Sequence, residues 1–155
     1  AAVPRLLVVH HTPSPALHSL LTAVLDGVAD PALADVEVVT RPALVASAAD
    51  VLEADGVVVG GPVNLGYLAG ALKHFFDQIY YPCLEDTVGR PFAAFLHGND
   101  DLTGGLVALE KITTGLRWRR VQPVLGVTGA PSLDDLAACR ELGAVTAATA
   151  AGLLG

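Results

Sequence analysis

The sequence predicts an α/β domain, a five-stranded parallel sheet in the order 2-1-3-4-5 with helices on both faces. Three observations predict it. Strand-like and helix-like segments alternate along the 155 residues. Three strand-like segments, residues 5–10, 55–60 and 92–97, are apolar almost throughout, as expected of strands covered on both faces. Pro123 falls inside the fifth strand-like segment, and a proline removes a ladder donor, so that strand belongs at an edge. The order 2-1-3-4-5 satisfies both constraints, with strand five at an edge and strands one, three and four inside.

The elements follow in order. Residues 5–10 (RLLVVH) form the first strand. Leu17, Leu20, Leu21, Val24, Leu25 and Val28 then recur on one helical face. Ser14 is its N-cap and Pro15 its first helical residue, with Gly27 and Asp30-Pro31 near its end. Residues 36–40 (VEVVT) alternate as a second strand, and Pro42 opens a short helix ending near Glu53. Residues 55–60 (DGVVVG) are the third strand. Leu68, Leu72, Phe75, Phe76 and Ile79 give the next helix face, which Pro82 ends. Residues 92–97 (FAAFLH) are the fourth strand, and Leu106, Leu109, Ile112 and Leu116 mark the fourth helix. Residues 120–127 (RVQPVLGV) are the fifth strand. Ser132 and Asp135 make a capping pattern for a last helix that runs to about Gly152, rich in helix-favouring alanine.

Composition narrows the function. One domain spanning residues 1–155 is the simplest organisation for this length. Lys and Arg total 9 against 16 Asp and Glu, a formal charge of −7. That balance disfavours phosphate-driven nucleic-acid binding and docking on anionic lipid. Apolar residues reach 52% and charged residues only 16%, which excludes disorder for most of the chain. The longest apolar runs, such as 6–9 and 57–59, fall far short of a membrane span of about 20 residues. The opening residues lack a signal-peptide layout. Cys83 and Cys139 have no ligand-type spacing and read as packing residues. The expected compartment is the cytoplasm.

Ligands of open parallel sheets bind beyond the carboxyl ends of the strands, near the reversal of strand order. That rule selects three loops. The first runs from His10 to Pro15 and leads into a helix N-terminus, where amides and hydroxyls suit an anion; an ordinary capped turn is the other reading. Pro13 and Pro15 each remove a donor there. The second, residues 60–67, has Gly60 and Gly61 for close backbone approach, and Pro62, Leu65 and Tyr67 as rests for a planar ligand; it also reads as a plain glycine-rich connection. The third, residues 97–103, offers His97 at a strand end, with Asp100 and Asp101 read as helix caps rather than metal ligands. His10 and His11 point to opposite faces of a strand, so one buried and one exposed histidine is expected, with no metal. His18 and His74 read as surface residues. Dinucleotide and nucleotide-hydrolase glycine fingerprints are absent from the first turn.

Residues 60–78, GGPVNLGYLAGALKHFFDQ, carry a resemblance. A strand ending in Gly-x-Pro, a short loop over Asn64 to Gly66, then a small-residue helix with Leu72-Lys73, Phe75 or Phe76, and Asp77 are similar to the flavodoxin-like family. The likeness is to its NAD(P)H-dependent FMN reductase and quinone reductase branch. Residues 90–98 (RPFAAFLHG) are similar to that family's fourth strand, and the element order matches over nearly the whole chain. The resemblance implies a three-layer flavodoxin-like sandwich holding FMN. It places the phosphate at Thr12, Ser14, Ala16 and Leu17, and the ring system against Pro62, Val63, Asn64, Leu65, Gly66 and Tyr67 and against His97, Gly98 and Asn99. The family's first loop usually has Gly, Asn or Arg among its hydroxyl residues; this chain has Pro13, Pro15 and Ala16. Its third loop lacks the aromatic that electron-carrier flavodoxins stack on the flavin.

The expected function is therefore an FMN-dependent oxidoreductase taking hydride from NAD(P)H and passing hydride or electrons to a quinone, flavin or similar small acceptor. The cofactor does the chemistry, so no catalytic side chain is demanded. Two alternatives stand beside it: a flavodoxin-type electron carrier, and a protein of the same fold that has lost the flavin. The branch implies a homodimer or homotetramer, and alanines of the second and last helices are candidates to coat its interface.

Overall fold

Alternate side chains of a strand point to opposite faces, so each strand of this sheet feeds two cores at once. The computed structural model describes residues 2–154. Its elements are β1 (Arg5–His10), α1 (Pro15–Val28), β2 (Glu37–Pro42), α2 (Ala48–Leu52), β3 (Gly56–Asn64), β4 (Tyr67–Leu68), α3 (Gly70–Cys83), β5 (Pro91–Gly98), α4 (Thr103–Gly115), β6 (Arg119–Arg120), β7 (Leu125–Thr128) and α5 (Leu133–Ala150). Leu6 and Val8 of β1, Val58 of β3, and Ala93 and Phe95 of β5 pack under α1 and α5. Leu7, Val9, Val57, Val59, Phe92, Ala94 and Leu96 pack under α2, α3 and α4. The two-sided apolar strands of the sequence thus lie between two helical layers.

Strand order is β2-β1-β3-β5, with β6 and β7 one after the other along the outer edge of β5. Those two pieces occupy the fifth position, so the order 2-1-3-4-5 holds. The single strand expected over 120–127 is broken. Pro91 and Phe92 pair Arg119 and Arg120, then Phe95 to Gly98 pair Leu125 to Thr128. Residues 121–124 therefore span a stretch opposite only Ala93 and Ala94. Pro123, which cannot donate to the ladder, sits in that bulge.

Other boundaries moved for equally local reasons. Pro42 does not open a helix; it ends β2, an edge strand where proline costs no pairing. The helix begins later, at Ala48, behind a reciprocal cap between Ser47 and Asp50. Pro82 lies inside the last turn of α3, which ends one residue later at Cys83. The third strand continues four residues beyond Gly60 and turns back as the antiparallel β4. The strand expected over residues 36–40 runs from Glu37 to Pro42, starting one residue later and ending two later, and its burial does not alternate. Gly152 (φ 75°) caps α5, with the Leu153 amide donating to the Ala148 carbonyl at 2.9 Å.

Two glycines let α1 and α5 touch backbone to backbone. A Cβ on Gly27 would run into the Arg140 carbonyl, and one on Gly143 into that of Val24. Gly27, expected near the end of α1, is therefore a contact point within it. Some alanines at the end of the chain are internal too: Ala147 of α5 is buried, and Ala144, Ala148 and the C-cap Ala151 pack against the same core. Among the described residues, no helix is long and apolar enough to cross a membrane.

Cys83 and Cys139 are buried and unpaired. Burial raises both thiols, Cys139 to about 12, so neither is a ready nucleophile.

Candidate functional site

The carboxyl ends of β1, β3, β5 and β7 converge, and four connections rise from them. After β1, Ser14 caps α1: its Oγ accepts from the Leu17 amide at 3.2 Å, and Pro15 is the first helical residue. Helix starts leave orphan amides. Here Pro13 and Pro15 have none and the Leu17 amide is engaged, so Thr12, Ser14 and Ala16 keep N–H groups without a partner among the described residues. The Thr12 hydroxyl lies 3.1 Å from His10 Nδ1.

After β3, residues 63–68 form a two-residue hairpin, with Asn64 opposite Tyr67. Its tip, Leu65 (φ 53°) and Gly66 (φ 76°), has the left-handed pair of angles that such hairpins need. Glycine adopts this freely; a leucine there costs about 1–2 kcal/mol. Leu65 is fully exposed, so core packing does not compensate it. The hairpin is instead held against the start of α4. Gly104 lies under the Gly66 carbonyl and Gly105 against the Val63 side chain, with no room for a Cβ at either. Gly60 and Gly61, by contrast, do not serve ligand approach. Phe95 covers Gly60, while Leu72 and the His11 carbonyl cover Gly61.

After β5, Asp101 accepts from the Thr103 amide (2.9 Å) and hydroxyl (2.6 Å), one residue ahead of Leu102, the N-cap of α4, which makes no side-chain cap bond. Those bonds hold its carboxyl below the ordinary range. Asp100 is exposed. After β7 comes a loop that sequence reasoning passed over. His97 is buried, and its Nε2 lies 2.7 Å from the Gly129 carbonyl. A carbonyl only accepts, so Nε2 carries the proton. The Gly129 amide returns a bond to the Gly98 carbonyl at 3.0 Å. His97 is thus a latch between two loops. Gly129-Ala130-Pro131 at the end of the fifth strand was the available signal, because the strand-end rule applies to that strand as well.

Two clefts open among these loops. One, of about 390 Å³, is lined by Pro13, Ser14, Pro15, Ala16, Leu17, Pro62, Val63, Asn64, His97, Gly98, Asn99, Gly129 and Ala130. The other, of about 460 Å³, is lined by Val63 to Gly66, Gly98 to Asp101 and Gly104. They share Val63, Asn64, Gly98 and Asn99, and so form one groove. Ser14, Ala16, Leu17, Pro62, Val63, Asn64, Leu65, Gly66, His97, Gly98 and Asn99 of the expected set all line it. Thr12 and Tyr67 do not. Tyr67 sits on β4, paired with Asn64, and its side chain is exposed. A larger cavity of about 510 Å³ lies elsewhere, between α4 and the broken edge strand, lined by Leu106, Thr113, Trp118 and Pro123 among others.

His10 and His11 are both half-buried, not one inside and one out. Among the described residues, no group of three or more His, Cys, Asp or Glu is arranged to hold a metal. Burial, with His11 and His18 nearby, lowers the pKa of His10. The unfolded chain therefore binds this proton more readily than the folded one. The stability this gives is full above the ordinary histidine value of about 6.5 and is lost as pH falls below it. Thermal unfolding across that range should show the midpoint dropping toward acid, with a smaller drop in His10→Asn. Equal slopes in the two proteins would refute the assignment.

No protein-family model matches the sequence, and no curated protein matches it. Solved structures do. A flavodoxin from the Archaea superposes with a TM-score of 0.79 at 19% identity, over 94% of this chain and 98% of that one. The fold is flavodoxin-like. A WrbA-like flavodoxin protein from Agrobacterium tumefaciens gives 0.74 at 20% identity, over 95% and 97% of the two chains. Flavodoxin 2 from Bacillus cereus gives 0.76 at 21%, over 94% and 99%. At such identities the likeness is one of fold. In this flavodoxin-like sheet the groove lies where strand order reverses, between β1 and β3.

Proposed function

We propose that the groove binds a flavin and that the protein is an NAD(P)H-dependent oxidoreductase delivering hydride or electrons to a quinone, flavin or similar small acceptor. The observation that carries this reading is the continuous groove itself. One end has amide donors at a helix start, and the other is a slot between the β3–β4 hairpin and the loop after β5. The donor set fits a flavin's ring edge and side chain. The exposed carboxamides of Asn64 and Asn99 both line the shared middle, where each offers donors and an acceptor. Pro62 and Val63 supply an apolar wall, and Ser14 and Ala16 supply amides at the far end.

A flavin bound here would supply two-electron and one-electron chemistry; the protein's part is to orient and to shield. The glycine contacts of α4 fix the hairpin wall, and the His97 latch fixes the opposite loop, so Asn64 and Asn99 are held rather than left mobile. No Phe, Tyr or Trp lines either cleft. A ring face left uncovered leaves room for a second flat molecule at reacting distance, about 3–3.5 Å. This favours the oxidoreductase over an electron carrier. Several structural neighbours are flavodoxins, which keeps the carrier as the second reading.

Anaerobic titration of the FMN-loaded protein with NADH and with NADPH tests the proposal. Stoichiometric bleaching of the flavin absorbance by one of them is expected. A loaded protein that neither nucleotide bleaches, but that exchanges single electrons with a redox protein, is a carrier.

A further inference from the structure

We infer that the groove selects a flavin by its ring and sugar-alcohol chain and not by its phosphate, so that riboflavin and FMN bind about equally well. This rests on the flavin reading above and concerns which flavin the site takes. The argument begins with backbone donors. An anion nest needs successive N–H groups converging on one point. Between residues 12 and 17 the prolines at 13 and 15 interrupt that succession, and the Leu17 amide is engaged by Ser14 Oγ at 3.2 Å. Of residues 12 to 17, only Ser14 and Ala16 both line the groove and retain an amide without a partner among the described residues; Thr12 lies outside it.

Charge points the same way. Neither cleft is lined by a lysine or arginine, while Asp100 and Asp101 line the ring end. The protein as a whole carries −7. His10, the half-buried imidazole beneath this loop, resists protonation. A phosphate dianion placed here leaves water for two amides, the Ser14 hydroxyl and no counter-charge, which returns little of its desolvation cost. The ring and the hydroxyls of the side chain are neutral and carry no such penalty. A flavin without phosphate therefore keeps most of what this groove offers.

Fluorescence titration of the purified chain with riboflavin and with FMN, at neutral pH and physiological ionic strength, decides it. The expected dissociation constants agree within about fivefold. Inorganic phosphate at large excess should displace neither flavin. A second protein, Pro13→Gly with Pro15→Ala, restores the two missing amides. It should tighten FMN by about tenfold, one charge-assisted hydrogen bond's worth, while leaving riboflavin unchanged. FMN binding to the natural chain more than about fivefold tighter than riboflavin would overturn the inference while leaving the flavin reading intact. Binding of neither would overturn both.

Discussion

Replacing Trp118 with alanine is expected to destabilise the protein by about 3–5 kcal/mol, the range for removing a buried large aromatic. Trp118 is the one tryptophan in the chain and is nearly buried. Its ring lies 6.2 Å from Phe76 and 5.9 Å from Phe92, centroid to centroid. Its Nε1–H donates to the Thr87 hydroxyl at 2.8 Å, and that hydroxyl donates to the Cys83 carbonyl at 2.7 Å. These two bonds tie the segment after α4 to the end of α3 in one corner, with Phe92 of β5 packed beside the ring. Trp118→Phe keeps most of the packing and loses one bond, so about 1–2 kcal/mol is expected. Urea melts followed by circular dichroism measure both. An alanine variant within 1 kcal/mol of the natural chain, about the size of one hydrogen bond, would refute this account of the corner. Because Trp118 lines a different cavity, flavin affinity of the folded variants should stay unchanged.

Gly104→Ala is expected to act on the groove. Its Cβ would run into the Gly66 carbonyl, which is backbone and cannot swing aside. The hairpin tip must move away from α4, taking Asn64 with it, while Asn99 stays tied to β5. About tenfold weaker flavin binding is expected, since displacements near 1 Å weaken positioned contacts by such factors. Stability should fall by about 1–3 kcal/mol, as for other overpacked sites. Gly70→Ala is the control, because nothing lies near its Cβ position. If Gly104→Ala and Gly70→Ala bind flavin alike, the hairpin clamp has no part in the site.

Much of the fold was legible before any coordinates. Residues 5–10 and the Ser14–Pro15 helix start were found where the structure has them, because apolar runs and caps are local signals. The Ser132–Asp135 cap was legible for the same reason. Pro123 gave the edge position, and the structure added that the edge breaks there. The β3–β4 hairpin was not legible. Its tip is Leu65-Gly66, and a leucine at positive φ is not a turn signal. Tyr67, an aromatic in the loop after the third strand, reads from sequence as part of the groove. Its place on β4, paired antiparallel with Asn64, leaves it outside the groove.

The sequence by itself determined the layer architecture, the strand order and three of the four loops that line the groove. Side-chain periodicity, caps and prolines act over a few residues, so they can be read along a chain. It also determined the character of the first loop, since a proline lacks its N–H whatever surrounds it. Only the tertiary structure decided what the glycines do. Gly27, Gly60, Gly104 and Gly143 look alike in sequence, yet each is explained by a partner brought there by the fold: Arg140, Phe95, Gly66 and Val24. The same holds for His97, whose partner at Gly129 comes from another strand's end. Contacts between residues far apart in the chain depend on how the layers pack, and no local pattern encodes them.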